Sequence, residues 1–297
     1  GTLLSQFKYL GHFNLLGVEP TGTYIFHKDH NINVVNDYFN LKSSQKICSK
    51  YGKAKIITTT NVFAHTNRLG DFIKGIKNII RKDGIFIIEN HYLLDVIKKN
   101  QFDTFYHEHL RTYSLKSLIK LMKLYGFYIY DAKTSDRYGG NIQVHFTLKR
   151  VNPSSRVNKI LSIETDFGLD NPKTYLKFNS NVEKIKIDLF EYLNKNKSKF
   201  IVGKAFPARA SIIIHYFSFM KDHLQFIAEQ PTSLKIKHFV PGTTLEIKSS
   251  DLLLKNKPDI MVILAWHLFD VISEKWRQKG LKKTNFVAPL PRLKIYK

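Results

Sequence analysis

Phe13-Asn14-Leu15-Leu16-Gly17-Val18-Glu19-Pro20 is a short apolar run that stops at a carboxylate and a proline, the pattern of a buried strand running into a turn. The pattern returns at residues 32–35, which stop at Asn36-Asp37, and at residues 54–60, which stop at Asn61. Residues 69–80 have helical spacing, with Leu69, Phe72, Ile73, Ile76, Ile79 and Ile80 on one side. Asp83-Gly84 reads as the turn that closes this helix, and residues 85–89 as a fourth strand. Ser114 caps a helix whose apolar face is Leu115, Leu118, Ile119, Met122 and Leu124. Residues 127–132 and 142–148 read as two last strands, close enough to pair antiparallel. Strands alternating with helices in this order predict a doubly wound, mostly parallel α/β sheet with an antiparallel edge.

Asn152-Pro153-Ser154-Ser155 breaks the alternation and sets the expected boundary between a domain at residues 1–150 and a second at 151–297. A long polar helix follows at 174–196. Then come a strand at 200–202, a helix at 208–219, strands at 225–228 and 259–264, a helix at 267–279 and a strand at 285–287. This is a second, smaller, Rossmann-like α/β unit. No short repeat or low-complexity tract interrupts it.

Composition narrows the function. No apolar run reaches the roughly 18 residues that a membrane helix needs, so no membrane partner is expected. Cys48 is the one cysteine of the chain, which excludes an internal disulfide framework or a cysteine-based zinc site, and a reducing, cytoplasmic setting is the simplest reading. The net charge of +23 raises nucleic-acid binding. Its lysines are scattered through every segment, however, with no arginine-rich block among stacking aromatics, so solvated faces are the preferred reading and no nucleic-acid partner is expected. The same charge suits an anionic ligand such as a nucleotide diphosphate.

Chemistry concentrates in Asp103-Thr104-Phe105-Tyr106-His107-Glu108-His109-Leu110. A tyrosine, two imidazoles and a carboxylate this close together can hold, orient and remove a proton near neutral pH. A metal pair at His107 and His109 is disfavoured, because neither further cysteines nor a His-Glu-x-x-His helix accompanies it. The competing structural reading is two histidines satisfied in a turn. Ligands of open α/β sheets sit beyond the carboxyl ends of the strands, which here carry Glu19, Asp37, Asn61 and Glu89. Each carboxylate alone reads as a turn or cap; together they mark an edge. Glu19 suits the two hydroxyls of a ribose, and Asp37 an adenine amino group, with Tyr38 or Phe39 against the ring. Gly1-Thr2-Leu3-Leu4 reads as the tail of a glycine-rich loop entering its helix, with the preceding strand absent, and a chain so truncated is expected to bind its cofactor poorly.

Gly17-Val18-Glu19-Pro20, Asn36-Asp37-Tyr38-Phe39, Asn61-Val62-Phe63-Ala64-His65, Tyr106-His107-Glu108-His109-Leu110, Gly139-Gly140, Pro241-Gly242-Thr243, Ala265-Trp266 and Pro289-Leu290-Pro291 together carry a resemblance. The chain resembles the S-adenosylmethionine-dependent C-methyltransferases that act on nucleotide-linked deoxysugars, a class I methyltransferase core followed by a C-terminal α/β domain. The resemblance implies S-adenosylmethionine as cofactor, with Gly1, Glu19, Pro20, Asp37, Tyr38 and Phe39 around it. It implies His109 as general base, with Tyr106, Glu108 and Asn61 about the substrate, a 4-keto-deoxysugar on a nucleotide diphosphate methylated beside the ketone. His65, Gly140, Asn141, Lys204 and Arg209 are the expected substrate-binding residues, Arg209 against the diphosphate.

The chain departs from the family pattern at Ala205, Arg209-Ala210 and Ala265-Trp266-His267, which bears on the sugar and the nucleotide more than on the reaction type. The alternatives are a methyltransferase of the same architecture acting on oxygen or another small acceptor, a basic nucleic-acid-binding protein, and a non-catalytic remnant.

Overall fold

The alternation of the first half is realised nearly element by element. The computed structural model describes residues 1–22 and 32–297. Helix α1 (Thr2–Tyr9) leads to β1 (Leu16–Val18), β2 (Asn33–Val35), α2 (Leu41–Tyr51), β3 (Ala54–Thr60), α3 (Leu69–Ile79) and β4 (Ile80–His91). Then follow α4 (Leu93–Lys98), α5 (Leu115–Leu124), β5 (Tyr128–Ser135), β6 (Asn141–Thr147), α6 (Ser155–Phe167) and α7 (Pro172–Lys195). The remainder is β7 (Ile201–Lys204), α8 (Ala208–Tyr216), α9 (Met220–His223), β8 (Ile227–Glu229), β9 (Ile247–Ser249), α10 (Leu252–Lys255), β10 (Ile260–Ile263), α11 (Phe269–Gln278), β11 (Asn285–Ala288) and β12 (Lys294–Tyr296). Among the described residues no helix is long and apolar enough to cross a membrane.

These elements pack as two compact units that interleave along the chain. One comprises Gly1–Asn90, Leu115–Lys133 and Ile142–Ile160; the other His91–Ser114, Thr134–Asn141 and Leu161–Lys297. The expected division at residue 150 follows sequence order. By packing, the second unit draws two excursions out of the first half and holds the larger share of the chain, not the smaller.

In the first unit β1 and β2 pair in parallel, Val18 beside Val35, and a separate four-stranded sheet runs β3-β4-β6-β5 with β3 parallel to β4. The expected doubly wound sheet is thus present in two pieces, since β1 and β3 share no ladder. Helix α3 buries Phe72, Ile73, Ile76 and Ile79, the face that its spacing predicts. Phe63, Phe72, Phe86 and Phe127 meet edge-on or tilted at 6.0–6.4 Å between ring centres, and they tie α3 to β4 and to the start of β5.

Asp83-Gly84 is a correction. It lies inside β4, where the register against β3 jumps from Ala54–Ile80 to Ile56–Ile85, so the pair forms a bulge and not a turn after the helix. Lys55 Nζ holds the Asp83 carboxylate at 2.6 Å and Arg81 Nε holds it at 3.1 Å, which pins the bulge.

The second unit contains a six-stranded sheet in the order β12-β11-β10-β7-β8-β9. All its neighbours are parallel except β12, which returns antiparallel to β11. The chain builds outward from β7 to β9, then crosses back to β10 and builds the other way. The order therefore reverses between β7 and β10, which is where open α/β sheets form a crevice beyond the strand ends.

Residues 152–155, read as a domain break, are anchored to the first sheet. Ser154 Oγ donates to Asp131 Oδ1 at 2.7 Å, and Arg156 grips the same carboxylate through Nε at 3.0 Å and through Nη2. These bonds, with the Arg156 guanidinium the largest cause, pull the Asp131 carboxyl down to about 2. A carboxyl whose folded pKa lies below its unfolded value stabilises fully above the unfolded value, near 4, and loses that contribution as pH falls toward 2. Because Arg156 is largely exposed, Asp131→Asn is expected to cost about 1 kcal/mol at pH 7 after allowance for solvent screening. Urea melts of wild type and variant should differ at pH 7 and converge as pH falls to about 2.

Candidate active site

The polar run falls in the second unit, where a tight turn at Phe102–Thr104 buries its acidic member completely. A buried carboxylate is costly unless it is paired and hydrogen-bonded. Asp103 is both. Arg209 Nε donates to Oδ2 at 2.7 Å, Arg209 Nη2 donates to Oδ1 at 2.6 Å, and Trp266 Nε1 donates to Oδ2 at 2.9 Å. The remaining Arg209 bonds go from Nη2 to Gln101 Oε1 at 3.0 Å and from Nη1 to the Tyr138 carbonyl at 3.1 Å.

Arg209 sits in the first turn of α8 after β7, and Trp266 follows β10. The two strands at the reversal of the sheet thus send their following loops to one point. Arg209 was expected to face a diphosphate; instead its side chain is 9% exposed and its guanidinium is occupied by Asp103, Gln101 and a carbonyl.

Six residues beyond Asp103, the His109 ring is oriented on both nitrogens. Nδ1 lies 2.9 Å from the Thr104 carbonyl, which can only accept, so Nδ1 carries the proton and donates it. Nε2 is then the bare nitrogen, and the Tyr106 hydroxyl donates to it at 3.3 Å. The Tyr106 ring lies 4.4 Å from that of His109, and the imidazole of His91, at the end of β4, lies 4.9 Å away on the other contact. Tyr138 stands 6.4 Å from His91. Burial, with the nearby Glu108 charge, raises the Tyr106 pKa, so the phenol stays a proton donor at neutral pH.

Glu108 was expected about the substrate. It is largely exposed, and its carboxylate lies 4.0 Å from His107 Nε2; Thr104 fixes the tautomer.

Gly140 and Asn141 are buried where β6 begins. Gly140 has φ +135, and a Cβ there would lie 2.4 Å from Asp95 Cβ, so this position requires glycine for its backbone and for its space. Lys204, at the end of β7, is only 5% exposed; Nζ donates to the Ala228 carbonyl at 3.1 Å and lies over the Trp276 ring. It faces the protein interior and not a ligand. Sequence reasoning missed Gln101, Thr104, His91 and Tyr138, and gave no role to Asp103. The one available signal was an acid opening the polar run, with an arginine elsewhere to match it.

In the first unit the strand ends gather the other expected residues. Glu19 follows β1 and Asp37 follows β2. They are held side by side as Glu19 N and Asp37 N both donate to the Val35 carbonyl, at 3.0 and 3.1 Å. Glu19 Oε1 accepts from Thr21 N at 2.8 Å and from Thr21 Oγ1 at 2.7 Å, which sets the carboxylate's direction. Pro20 and Asp37 are exposed, and Tyr38 is 73% exposed with its ring open to a planar partner. Phe39 differs, because its ring packs edge-on against Phe72 at 5.1 Å and belongs to the core. Gly1 caps α1 and its carbonyl accepts from Ser5 N at 2.9 Å. Asn61, at φ +53 after β3, donates its backbone N–H to the Glu89 carbonyl at 2.8 Å, and His65 lies exposed at the end of the next turn. Two acceptor carboxylates and an open aromatic face are the right donor and acceptor set for the ribose hydroxyls and adenine edge of an adenosine cofactor.

Residues 1–132 match a methyltransferase domain, and residues 136–291, more than half of the chain, match the C-methyltransferase C-terminal domain. The protein is an S-adenosylmethionine-dependent methyltransferase. It belongs to the C-methyltransferase family that this C-terminal domain defines. C-methyltransferase NovU of Streptomyces niveus is 25% identical over 300 residues, which span 99% of this chain and 71% of that protein. Two solved structures are fainter likenesses. A SAM-dependent methyltransferase from Anabaena variabilis is 13% identical, covers 50% of this chain and 73% of its own, and has a TM-score of 0.39. The PH0226 protein from Pyrococcus horikoshii is 10% identical, covers 49% of this chain and 76% of its own, and has a TM-score of 0.35. Neither carries an argument about the fold.

Burial depresses the Lys204 pKa to about 8, partly opposed by Glu229. The unfolded chain, with a lysine near 10.4, holds a proton that the folded protein lacks between about pH 8 and pH 10. Stability attributable to this group therefore rises with pH across that window. Lys204→Met should abolish this rise. Thermal melts from pH 7 to pH 10 should show wild type gaining on the variant.

Proposed function

We propose that this enzyme transfers a methyl group to the carbon beside the ketone of a 4-keto-deoxysugar carried on a nucleotide diphosphate, with His109 Nε2 as the general base. The observation that carries the reading is the Thr104 carbonyl at 2.9 Å from His109 Nδ1, which leaves Nε2 unprotonated beside the Tyr106 hydroxyl at 3.3 Å. A carbon next to a ketone is acidic enough for a positioned imidazole to deprotonate once the oxyanion is stabilised. His109 Nε2 takes that proton, and the bonding pair moves into the enolate. The bond from Tyr106 to Nε2 is long and readily exchanged, so its hydroxyl turns to the developing oxyanion. Thr104 stabilises the imidazolium by holding Nδ1–H.

S-adenosylmethionine, when bound, supplies an electrophilic methyl on a cationic sulfur. Glu19 holds its ribose and Asp37 its adenine edge, with Tyr38 against the base and Gly1 and Pro20 beside it. Gly140 and Asn141 are on the acceptor side in this reading. The partner is a nucleotide sugar and not a nucleic acid or a membrane, the setting is cytoplasmic, and the basic surface suits an anionic acceptor.

The test is methyl transfer from S-adenosylmethionine carrying a ¹³C methyl to thymidine- and uridine-diphosphate 4-keto-deoxysugars, read by NMR. The label is expected on the carbon beside the ketone. His109→Gln should lower turnover by about 10²–10⁴-fold while cofactor affinity stays within a few-fold. Label on oxygen, or near-full turnover in the variant, would overturn the reading. Calorimetric titration checks the cofactor edge separately: Glu19→Ala should weaken S-adenosylmethionine binding by about 1.5–3 kcal/mol, the scale of hydrogen bonds to a charged group.

A further inference from the structure

We propose that Arg209 is a positioning residue for His109, acting through Asp103 and the carbonyl of Thr104. The turn that bears this carbonyl is gripped by α8 at both ends of the helix. At its first turn Arg209 forms the two parallel bonds to Asp103 and shares Nη2 with Gln101. At its far end the rings of Tyr216 and Phe217 each lie 5.0 Å from the ring of Phe102. Gln101 in turn donates Nε2 to the Gly139 carbonyl at 2.8 Å and to the Asp95 carbonyl at 3.1 Å. Gln101, Phe102 and Asp103 are each fixed by side-chain contacts, and the Phe105 N–H, on the same peptide as the Thr104 carbonyl, donates to the Phe102 carbonyl at 3.1 Å. The turn so held places the Thr104 carbonyl at His109 Nδ1.

The geometry of the pair matters, not only its charge. A guanidinium spans both carboxylate oxygens at once and still reaches Gln101 and the Tyr138 carbonyl; an ammonium is a point charge with no such fork. The indole of Trp266 closes the set, because its N–H bonds Asp103 Oδ2 while its ring lies 5.1 Å from the Arg209 guanidinium carbon. An arginine that served only to join two loops would hold them without selecting a tautomer. An arginine that positions the base selects one, because loosening the turn lets the 104–105 peptide rotate and takes away the carbonyl that keeps the proton on Nδ1. The catalytic meaning of this device rests on His109 being the base, but its physical effect on the ring does not.

The experiment therefore reads the ring. The full chain is labelled with ¹⁵N-histidine, and His109 is assigned by the signal lost in His109→Gln. In wild type, His109 is expected as a single tautomer with Nδ1 protonated. Arg209→Lys, which keeps the charge, should convert it to an average of both tautomers, with a faster-exchanging Nδ1 proton. Lys204→Met, buried at the end of β7 five residues before Arg209 but without a bond to Asp103, should leave it unchanged.

A single, unshifted tautomer in folded Arg209→Lys overturns the proposal. So does an equal change in Lys204→Met, which would mean general loosening of the loop. If the lysine variant does not fold, the neutral pair Asp103→Asn with Arg209→Gln is read by the same criterion. A His109 ring that answers to Arg209, in an enzyme whose His109→Gln variant still transfers methyl, would keep the positioning and remove the base.

Discussion

Asp103 is a carboxylate with no access to water, and the second unit is organised around meeting its needs. Removing one partner from such a pair costs about 3–5 kcal/mol, a large part of a domain's net stability. The partners come from far along the chain, Arg209 after β7 and Trp266 after β10, and they converge because those strands are neighbours where the sheet order reverses. In open α/β sheets this crevice ordinarily receives a ligand's polar groups. Here part of it receives a carboxylate of the protein itself, and the turn that carries that carboxylate also carries the groups that orient His109.

Catalytic use of an imidazole requires that one nitrogen be free and that the ring not rotate. Both conditions are met by backbone and not by a second charged side chain: a carbonyl holds the Nδ1 proton, while Tyr106 and His91 flank the ring. A carbonyl partner fixes the tautomer without adding net charge to the site. In the proposed reaction the Tyr106 phenol, whose pKa burial raises, is the donor for the enolate oxygen.

Strong positive charge invited a search for cations that touch a ligand, and two of the cations so chosen prove to be internal. Lys204 and Arg209 lie beneath the loop after β7, one bonded to a carbonyl and one to a carboxylate. Their chemical suitability for a diphosphate was real, but burial decided otherwise. Parallel pairing of β1 and β2 places Glu19 and Asp37 at one edge of the first unit, within the residues that match a methyltransferase domain.

Period and punctuation made most elements legible. Helix α3 was readable from its apolar spacing, α5 from the serine before it, and β7 and β10 from short apolar runs between polar stretches. The elements that escaped are the helices α2, α4, α6, α9 and α10 and the three-residue strands β9 and β12; α6 has a weak apolar stripe, the two strands exist because a neighbour offers a ladder, and α2 was passed over although Asn40 and Ser43 form a capping box at its start. Asp83-Gly84 looked like a turn because local chemistry permits one; a bulge pinned by Lys55 and Arg81 depends on a strand 28 residues away. The sequence by itself carried the resemblance to the family, and with it the cofactor, in motifs spread along the chain, and it placed Tyr106 three residues from His109. Which group orients His109, which cations are buried, and which segments join the second unit were decided only by the tertiary structure. Each depends on contacts between residues up to 163 positions apart, and no local pattern encodes the burial that makes Asp103 demand Arg209 and Trp266.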